Sequence, residues 1–279
     1  MLRIAVPNKG MLAETANEML VEAGYRGRRD SRELTGVDVR NGVEFFYLRP
    51  RDIATYVGSG VLDAGITGRD LLLDADSAAG EVRDLGFGES TFRFAGPAGE
   101  FERAEDLEGR RVATSYTGLL GRWFAERGIR ARLVGLDGAV ESAIRLGVAD
   151  AVADVVSSGE TLRKAGLEVF GEPILHSSAV LVSTPEKLPA AQTLVRRLEG
   201  VLVARRYVLI DYDIESRLLD RATAVTPGFQ SPTISQLGDP GWCAVRAMVP
   251  AQDINQIMDE LDAIGARAIL VTSLRAARV

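Results

Sequence analysis

The stretch Ala151-Val-Ala-Asp-Val-Val-Ser-Ser-Gly-Glu-Thr-Leu162 reads as a strand that feeds a turn and then a helix. A short apolar run ends around Asp154, Val155 and Val156. Ser157, Ser158 and Gly159 follow as a turn of small hydroxyl residues and glycine, and after Glu160 a short helical stretch opens at Thr161 and stops at Gly166. A unit of this kind gathers free backbone N–H groups, hydroxyl donors and the positive end of a helix dipole at one point, which suits an anion. Asp154, beside it, suits a ribose hydroxyl or a Mg²⁺-bound water, so the stretch has the layout of a phosphate pocket next to a sugar. The same Ser-Ser-Gly run also makes an ordinary helix N-cap, and the phosphate reading therefore depends on what surrounds it.

What surrounds it is more of the same alternation. Leu2 to Val6 is strand-like, Asn8-Lys9-Gly10 turns, and Met11 to Ala23 is helical, with Leu12, Ala16, Met19, Leu20 and Ala23 on one face and Gly24 as the stop. Val43 to Leu48 is a strand ending at Arg49-Pro50, Asp52 to Val57 a short helix stopped by Gly58, and Leu62 to Ile66 a strand ending in Thr67-Gly68-Arg69-Asp70. Short βα units imply a mostly parallel sheet with ligands at the strand C-termini. Gly60-Val-Leu-Asp-Ala64 echoes Gly147-Val-Ala-Asp-Ala151, as if one unit occurred in two lobes. Phe92 to Pro97 and Ala179 to Ser183 read as the two crossings between those lobes, with the ligand site expected in the cleft. The domains expected are lobe I over 1–91 and 181–206, lobe II over 92–180, and a separate domain over 207–279. In that tail, Tyr207 to Asp211 and Trp242 to Val249 are strands, Ile254 to Ile264 is a helix stopped by Gly265, and Ala268 to Thr272 is a last strand. This suits a small ferredoxin-like module, and its loops carry no obvious catalytic set.

Composition bounds the function. The 279 residues are 46% hydrophobic and 26% charged, enough for two or three domains with ample cores. The formal net charge of -6 speaks against a broad surface for nucleic acid or anionic membrane, while leaving room for a local basic pocket. Cys243 is the single cysteine and His176 the single histidine, which excludes an internal disulfide framework and cysteine- or histidine-rich metal sites. His176 sits in an apolar strand-like context, so a structural role is expected of it and a Ser-His-Asp triad is not. The run from Met1 to Pro7 is too short for a signal-peptide core, and no apolar run reaches the length of a membrane span. The expected location is the cytoplasm.

Several residues at strand ends can carry chemistry. Only Lys9, Lys164 and Lys187 are lysines among 33 basic residues, and Lys9 in its Pro-Asn-Lys-Gly turn suits a compact charge against a phosphate. Arg49 and Arg51 flank Pro50 after a strand and suit a polyphosphate, or are solvated charges. Asp70 can bind a base or ribose, or cap the next helix. Tyr116 follows the strand Arg111 to Thr114 and can stack on a purine, or pack as a partly buried structural tyrosine. Asp137 and Glu141 are four residues apart at a helix start, which places them on one face of that helix, and an acidic first turn is equally ordinary dipole compensation.

Five motifs in order carry a family resemblance: Pro7-Asn-Lys-Gly10, Phe45-Phe-Tyr-Leu-Arg-Pro50, Gly65-Ile-Thr-Gly-Arg-Asp70, Asp154-Val-Val-Ser-Ser-Gly-Glu-Thr-Leu162 and Ser231-Pro-Thr-Ile-Ser235. Together they resemble ATP phosphoribosyltransferase in its long form, over essentially the whole chain. The resemblance implies an α/β fold: a two-lobed catalytic core similar to periplasmic binding proteins, followed by a ferredoxin-like (ACT-like) α+β regulatory domain. It implies Mg²⁺-dependent attack of N1 of ATP on C1 of phosphoribosyl pyrophosphate, as the first step of histidine biosynthesis. It also implies inhibition by histidine and a hexamer assembled from dimers, with no nucleic-acid or membrane partner. The implied catalytic residues are Lys9, Arg49 and Asp154. Arg51, Glu141, Asp154, Ser157, Ser158, Gly159, Glu160 and Thr161 would bind phosphoribosyl pyrophosphate, and Asp70 and Tyr116 would bind ATP. Asp213, Phe229, Ser231, Thr233, Met248 and Ala268 would bind the effector histidine. Mg²⁺ would be held mainly through substrate phosphates, its direct protein ligands unassigned. Arg51 stands where the family commonly has lysine, and Ser157-Ser158 where it often has Ser-Thr or Gly-Ser.

Two other readings use the same residues. One is a non-catalytic two-lobed binding or sensor protein, disfavoured by the phosphate loop and Lys9. The other is a catalytic relative whose tail only assembles subunits, which sensitivity to histidine would separate from the first.

Overall fold

The computed structural model describes residues 1–278 except Arg29, Ser31, Ala139, Ser157 and Ser158. The chain forms two compact units, Met1–Val21 with Tyr25–Val195, and Glu22–Gly24 with Arg196–Val279. In chain order the first unit holds β1 (Leu2–Pro7), α1 (Met11–Glu22), β2 (Thr35–Asp38), β3 (Val43–Leu48), α2 (Pro50–Gly58), β4 (Ala64–Gly68), α3 (Arg69–Asp74), β5 (Gly80–Asp84) and β6 (Ser90–Pro97). It continues with β7 (Arg111–Thr114), α4 (Thr117–Arg127), β8 (Arg132–Gly135), α5 (Ser142–Arg145), β9 (Ala151–Val156), α6 (Glu160–Lys164), β10 (Leu167–Ser177) and β11 (Ala179–Ser183). The two units divide within α7 (Leu188–Arg206).

The first unit has two sheets, ordered β2-β3-β1-β4-β11-β5 and β10-β6-β9-β7-β8. Each holds a parallel trio, as the βα units require: β3-β1-β4 at the centre of one and β9-β7-β8 at one side of the other. The expectation of mostly parallel sheets fails outside these trios. β11 runs antiparallel between β4 and β5, β6 runs antiparallel between β10 and β9, and β2 folds back on β3 as a hairpin. Antiparallel neighbours need only short connections, whereas each further parallel strand would need its own crossover. Burial follows the same plan. All five residues of β4 are buried, the apolar run expected of a strand covered on both faces. In the other sheet Phe94 stacks on Phe124 and Phe170 at 5.6 and 5.7 Å.

The sequence echo is a structural repeat. Gly60 and Gly147 both adopt left-handed φ, +74° and +70°, after a helix or turn, a conformation that glycine takes without cost. Three residues on, Asp63 accepts from the Arg3 N–H and Asp150 from the Arg111 N–H, each at 2.8 Å. The backbone N–H of each aspartate bonds back to the carbonyl of the same arginine, at 2.9 and 2.8 Å. β4 and β9 then start, each between one parallel and one antiparallel neighbour. The ends of β4 and β9 are thus equivalent places in two copies of one design, with Asp154 near the end of β9 and Asp70 two residues past the end of β4.

The second unit holds β12 (Tyr207–Glu215), α8 (Leu219–Val225), β13 (Thr233–Gln236), β14 (Trp242–Pro250), α9 (Ile254–Ile264) and β15 (Arg267–Ser273). Its sheet order β13-β14-β12-β15, antiparallel throughout, is the split βαβ arrangement of a ferredoxin-like domain. Ile210, Tyr212 and Ile214 alternate inward with Val245, Ala247 and Val249 against Leu261 of α9. The Tyr212 hydroxyl, buried with them, hydrogen-bonds Thr226 Oγ1 at 2.7 Å. Cys243 is buried in the same domain as a free thiol. Among the described residues no helix is long and apolar enough to cross a membrane.

Candidate active site

The parallel strands of the first sheet end side by side. Pro7 of β1 pairs with Leu48 of β3, and the Asn8 N–H donates to the Leu48 carbonyl at 2.8 Å. Lys9 and Arg49, both exposed, are therefore brought to one edge. Arg49 precedes α2, whose first residue is Pro50. A proline is tolerated there because its missing N–H would have no helical partner, and this starts the helix earlier than the expected Asp52.

On the other side of β1, β4 delivers Asp70. Its carboxylate folds back so far that a Cβ on Gly68 would lie 2.3 Å from its Oδ1. Asp70 is 7% exposed. Its N–H donates to Ser177 Oγ at 3.0 Å, and the Ser177 hydroxyl donates to Asp70 Oδ1 at 2.7 Å. The charge of the same carboxylate acts on the Tyr116 phenol. Its ring is 9% exposed and packs edge-on against Phe92 at 5.1 Å. Burial pushes the Tyr116 phenol far above its usual range. The charge of Asp70 and the more distant charge of Asp154 add to this, while Arg51 opposes it. The phenol is thus held in its neutral form.

Asp154 lies near the end of β9 and accepts from the Val155 N–H at 2.8 Å. Burial raises its carboxyl pKa, the charges of Glu141 and Asp70 raise it further, and the Val155 hydrogen bond and Arg51 counteract. Asp154, Asp70, Glu141, Tyr116 and Arg51 therefore share one electrostatic neighbourhood, drawn from both sheets. Glu141 precedes α5, which begins only at Ser142, and Asp137 lies in a bend before it. The pairing of Asp137 and Glu141 on one helical face fails, because the helix starts too late to include either.

Arg51 points to Tyr116. Its guanidinium carbon lies 4.9 Å from the Tyr116 ring centroid, and its Nη1 donates to Asp74 Oδ2 at 2.6 Å. Past β9, Gly159 adopts φ +69° and opens α6, with Glu160 and Thr161 exposed in its first turn. Ser157 and Ser158 lie outside the described residues. Glu160 pairs with Lys164 at 2.7 Å. His176 is exposed, and its backbone carbonyl accepts from Arg69 Nη1 at 3.3 Å. Among the described residues no group of three His, Cys, Asp or Glu side chains is placed to chelate a metal.

Two residues of the network had no visible signal. Ser177 ends a strand in an unremarkable His-Ser-Ser run, and Asp74 looks like any acidic residue on a short helix. Only the fold brings them to Asp70 and Arg51.

In the second unit, Phe229, Ser231, Thr233 and Met248 line one hollow of about 340 Å³ together with Leu209 and Arg246. Asp213 and Ala268 are not among its lining. Asp213 sits opposite Ala244 and Arg267, four residues along β12 from Leu209, and Ala268 adopts φ +48°.

A family model described as ATP phosphoribosyltransferase matches residues 49–200. A second, described as the HisG C-terminal domain, matches residues 204–276. The ATP phosphoribosyltransferase of Pseudarthrobacter chlorophenolicus is 62% identical over 284 residues, covering 100% of both chains. Those of Salinispora tropica and Streptomyces coelicolor are 60% and 58% identical, again over 100% of both chains. Among solved structures, the ATP phosphoribosyl transferase (HisG:HisZ) complex from Thermotoga maritima is similar with a TM-score of 0.63 at 27% identity. That match covers 72% of this chain and 98% of the other.

Proposed function

The chain belongs to the ATP phosphoribosyltransferase family, enzymes of the first step of histidine biosynthesis, and from that premise we propose how its residues divide the reaction. N1 of ATP attacks C1 of phosphoribosyl pyrophosphate. The N1–C1 bond forms as the C1–O bond to pyrophosphate breaks, the electron pair leaves with pyrophosphate, and C1 inverts. Adenine N1 has a lone pair and no proton to lose, so the step needs alignment and charge stabilisation more than a base.

What supports this reading most is that the strand ends of the two sheets are joined at this place: Ser177 at the end of β10 bonds Asp70, Asp74 of α3 bonds the first turn of α4 after Tyr116, and the charges of Asp70 and Asp154 both act on Tyr116. Asp154, with Glu141 behind it, faces the ribose. A carboxylate there accepts from sugar hydroxyls and favours the positive charge that develops at C1. Gly159, Glu160 and Thr161, with Ser157 and Ser158, hold the 5-phosphate. Lys9 and Arg49 neutralise the pyrophosphate, and Asp70 and Tyr116 bind the ATP side.

Among the described residues no three carboxylates are placed to cage an ion, and this donor set would suit a Mg²⁺ carried mainly by substrate phosphates, with Asp154 or Glu141 helping to hold it. When bound, the ion neutralises charge on the leaving pyrophosphate.

The lobes are assigned as 1–91 with 181–206, and 92–180. Residues 207–279 form the regulatory domain. Histidine binds at the hollow of Phe229, Ser231, Thr233 and Met248, with Asp213 and Ala268 contributing from a neighbouring subunit. That arrangement calls for a hexamer built from dimers, and chemistry on ATP places the enzyme in the cytoplasm.

The test is product absorbance from ATP and phosphoribosyl pyrophosphate with pyrophosphatase present. Turnover that needs both substrates and stops on chelating Mg²⁺ supports the reading. Binding of both substrates without turnover moves the chain to the non-catalytic alternative.

A further inference from the structure

Tyr116 is a poor platform for a purine as it stands. Its ring is 9% exposed, one edge contact goes to Phe92, and Arg51 covers a face. The surface left to solvent belongs instead to Arg51, whose side chain is 43% exposed. A guanidinium is planar and stacks on aromatic rings through its faces. Resting on Tyr116, it extends the aromatic surface outward.

Asp74 holds that arrangement. Its carboxylate is 10% exposed and is shared between two elements. Oδ2 accepts from Arg51 Nη1 at 2.6 Å. Oδ1 accepts from the Gly118 and Leu119 N–H groups at 2.9 and 3.0 Å. These amides belong to the first turn of α4, where Tyr116 at the N-cap provides no side-chain cap of its own. The approach is close: a Cβ on Gly118 would lie 2.4 Å from the Asp74 carbonyl oxygen. Arg122 of α4 also donates to the Leu73 carbonyl. One carboxylate thus fixes the arginine from the first sheet's layer and the tyrosine's helix from the second's.

We propose that Arg51 stacks on the adenine of ATP, as the exposed layer of an Arg51–Tyr116 platform, and that Asp74 is the positioning residue that sets this platform. The assignment rests on the ATP side lying at Asp70 and Tyr116. It moves Arg51 from the pyrophosphate, where its charge alone would count, to the nucleotide, where its plane counts.

Arg51→Lys separates the two roles, since lysine keeps the charge and loses the plane. ATP and phosphoribosyl pyrophosphate binding are measured separately by calorimetry on the full chain, alongside both KM values. The expected result is ATP binding weakened about tenfold, phosphoribosyl pyrophosphate binding changed less than about twofold, and an unshifted melting temperature. Asp74→Asn keeps an oxygen for the helix amides and loses the charged partner of Arg51. It is expected to weaken ATP binding in the same direction and to add little in an Arg51→Lys background. If Asp74→Asn does not fold, Gly118→Ala strains the same contact from α4 and is expected to weaken ATP binding likewise. Weakened phosphoribosyl pyrophosphate binding with ATP unaffected, or no change in either, overturns the proposal. Because binding is read without turnover, a wild-type protein that binds ATP but transfers nothing would defeat the catalytic reading and not this one.

Discussion

The strand-end cluster of the first unit and the hollow of the second handle polar groups in opposite ways. In the cluster, Asp70 is buried with its carboxylate bonded to Ser177, and burial drives the Asp154 carboxyl and the Tyr116 phenol upward. In the hollow, Phe229 is 44% exposed and Ser231 and Thr233 face solvent. The difference fits the two tasks proposed for them. Stabilising charge that develops at a carbon requires preorganised groups held away from water, where electrostatics are strong. Recognising an effector reversibly requires only complementary contacts that favour one arrangement of the protein.

Substitutions can break that contrast. Asp154→Ala removes the half-buried carboxylate that the proposed arrangement sets against the ribose, and is expected to lower kcat by about 10²- to 10³-fold with the fold intact. Circular dichroism and steady-state kinetics check both halves, and near-normal kcat would show that the ribose lies elsewhere. Phe229→Ala combined with Thr233→Ala is expected to raise the histidine concentration for half-inhibition about tenfold, with kcat unchanged. Unaltered inhibition would move the effector site out of the hollow.

Two smaller effects sharpen it. Ser177→Ala takes a hydroxyl from the buried Asp70 carboxylate and is expected to cost about 1–3 kcal/mol in denaturant unfolding. No measurable loss would mean that the carboxylate does not depend on that hydroxyl. The raised pKa of Asp154 gives a signed pH effect. Relative to an ordinary carboxyl at 3.8, its contribution to stability is fully present below that value and is lost as pH rises through the higher folded value. Asp154→Asn should therefore melt above wild type at neutral pH, and the gap should close as pH falls below 3.8. Equal melting temperatures at neutral pH would show that Asp154 carries no such burden.

Much of the fold was legible because its signals are local. β3, β7 and α9 fall where apolar runs, glycine stops and proline starts put them. The Gly-x-x-Asp-Ala echo marked two equivalent strands, and the structure repeats even their aspartate–arginine backbone pairs. The flanks were not legible. β2, β5 and β13 are short, β5 and β13 largely exposed and β2 half so, and their strand character comes from the neighbours they pair with. Motif residues at strand ends could be named from sequence because βα units place them there. Ser177 reaches Asp70 across 107 positions and Asp74 reaches Gly118 across 44, and no spacing rule carries that far. The turn of Arg51 toward Tyr116 belongs with these, since it follows from Asp74.

In the proposed division, chemistry belongs to the strand-end cluster and restraint to the exposed hollow. Turnover and histidine binding measured on the same preparations of wild type, Asp154→Ala and the Phe229→Ala/Thr233→Ala double variant test it. Asp154→Ala is expected to bind histidine as wild type does while losing turnover, and the double variant to turn over normally while losing histidine binding. Loss of both properties together in either protein would contradict it.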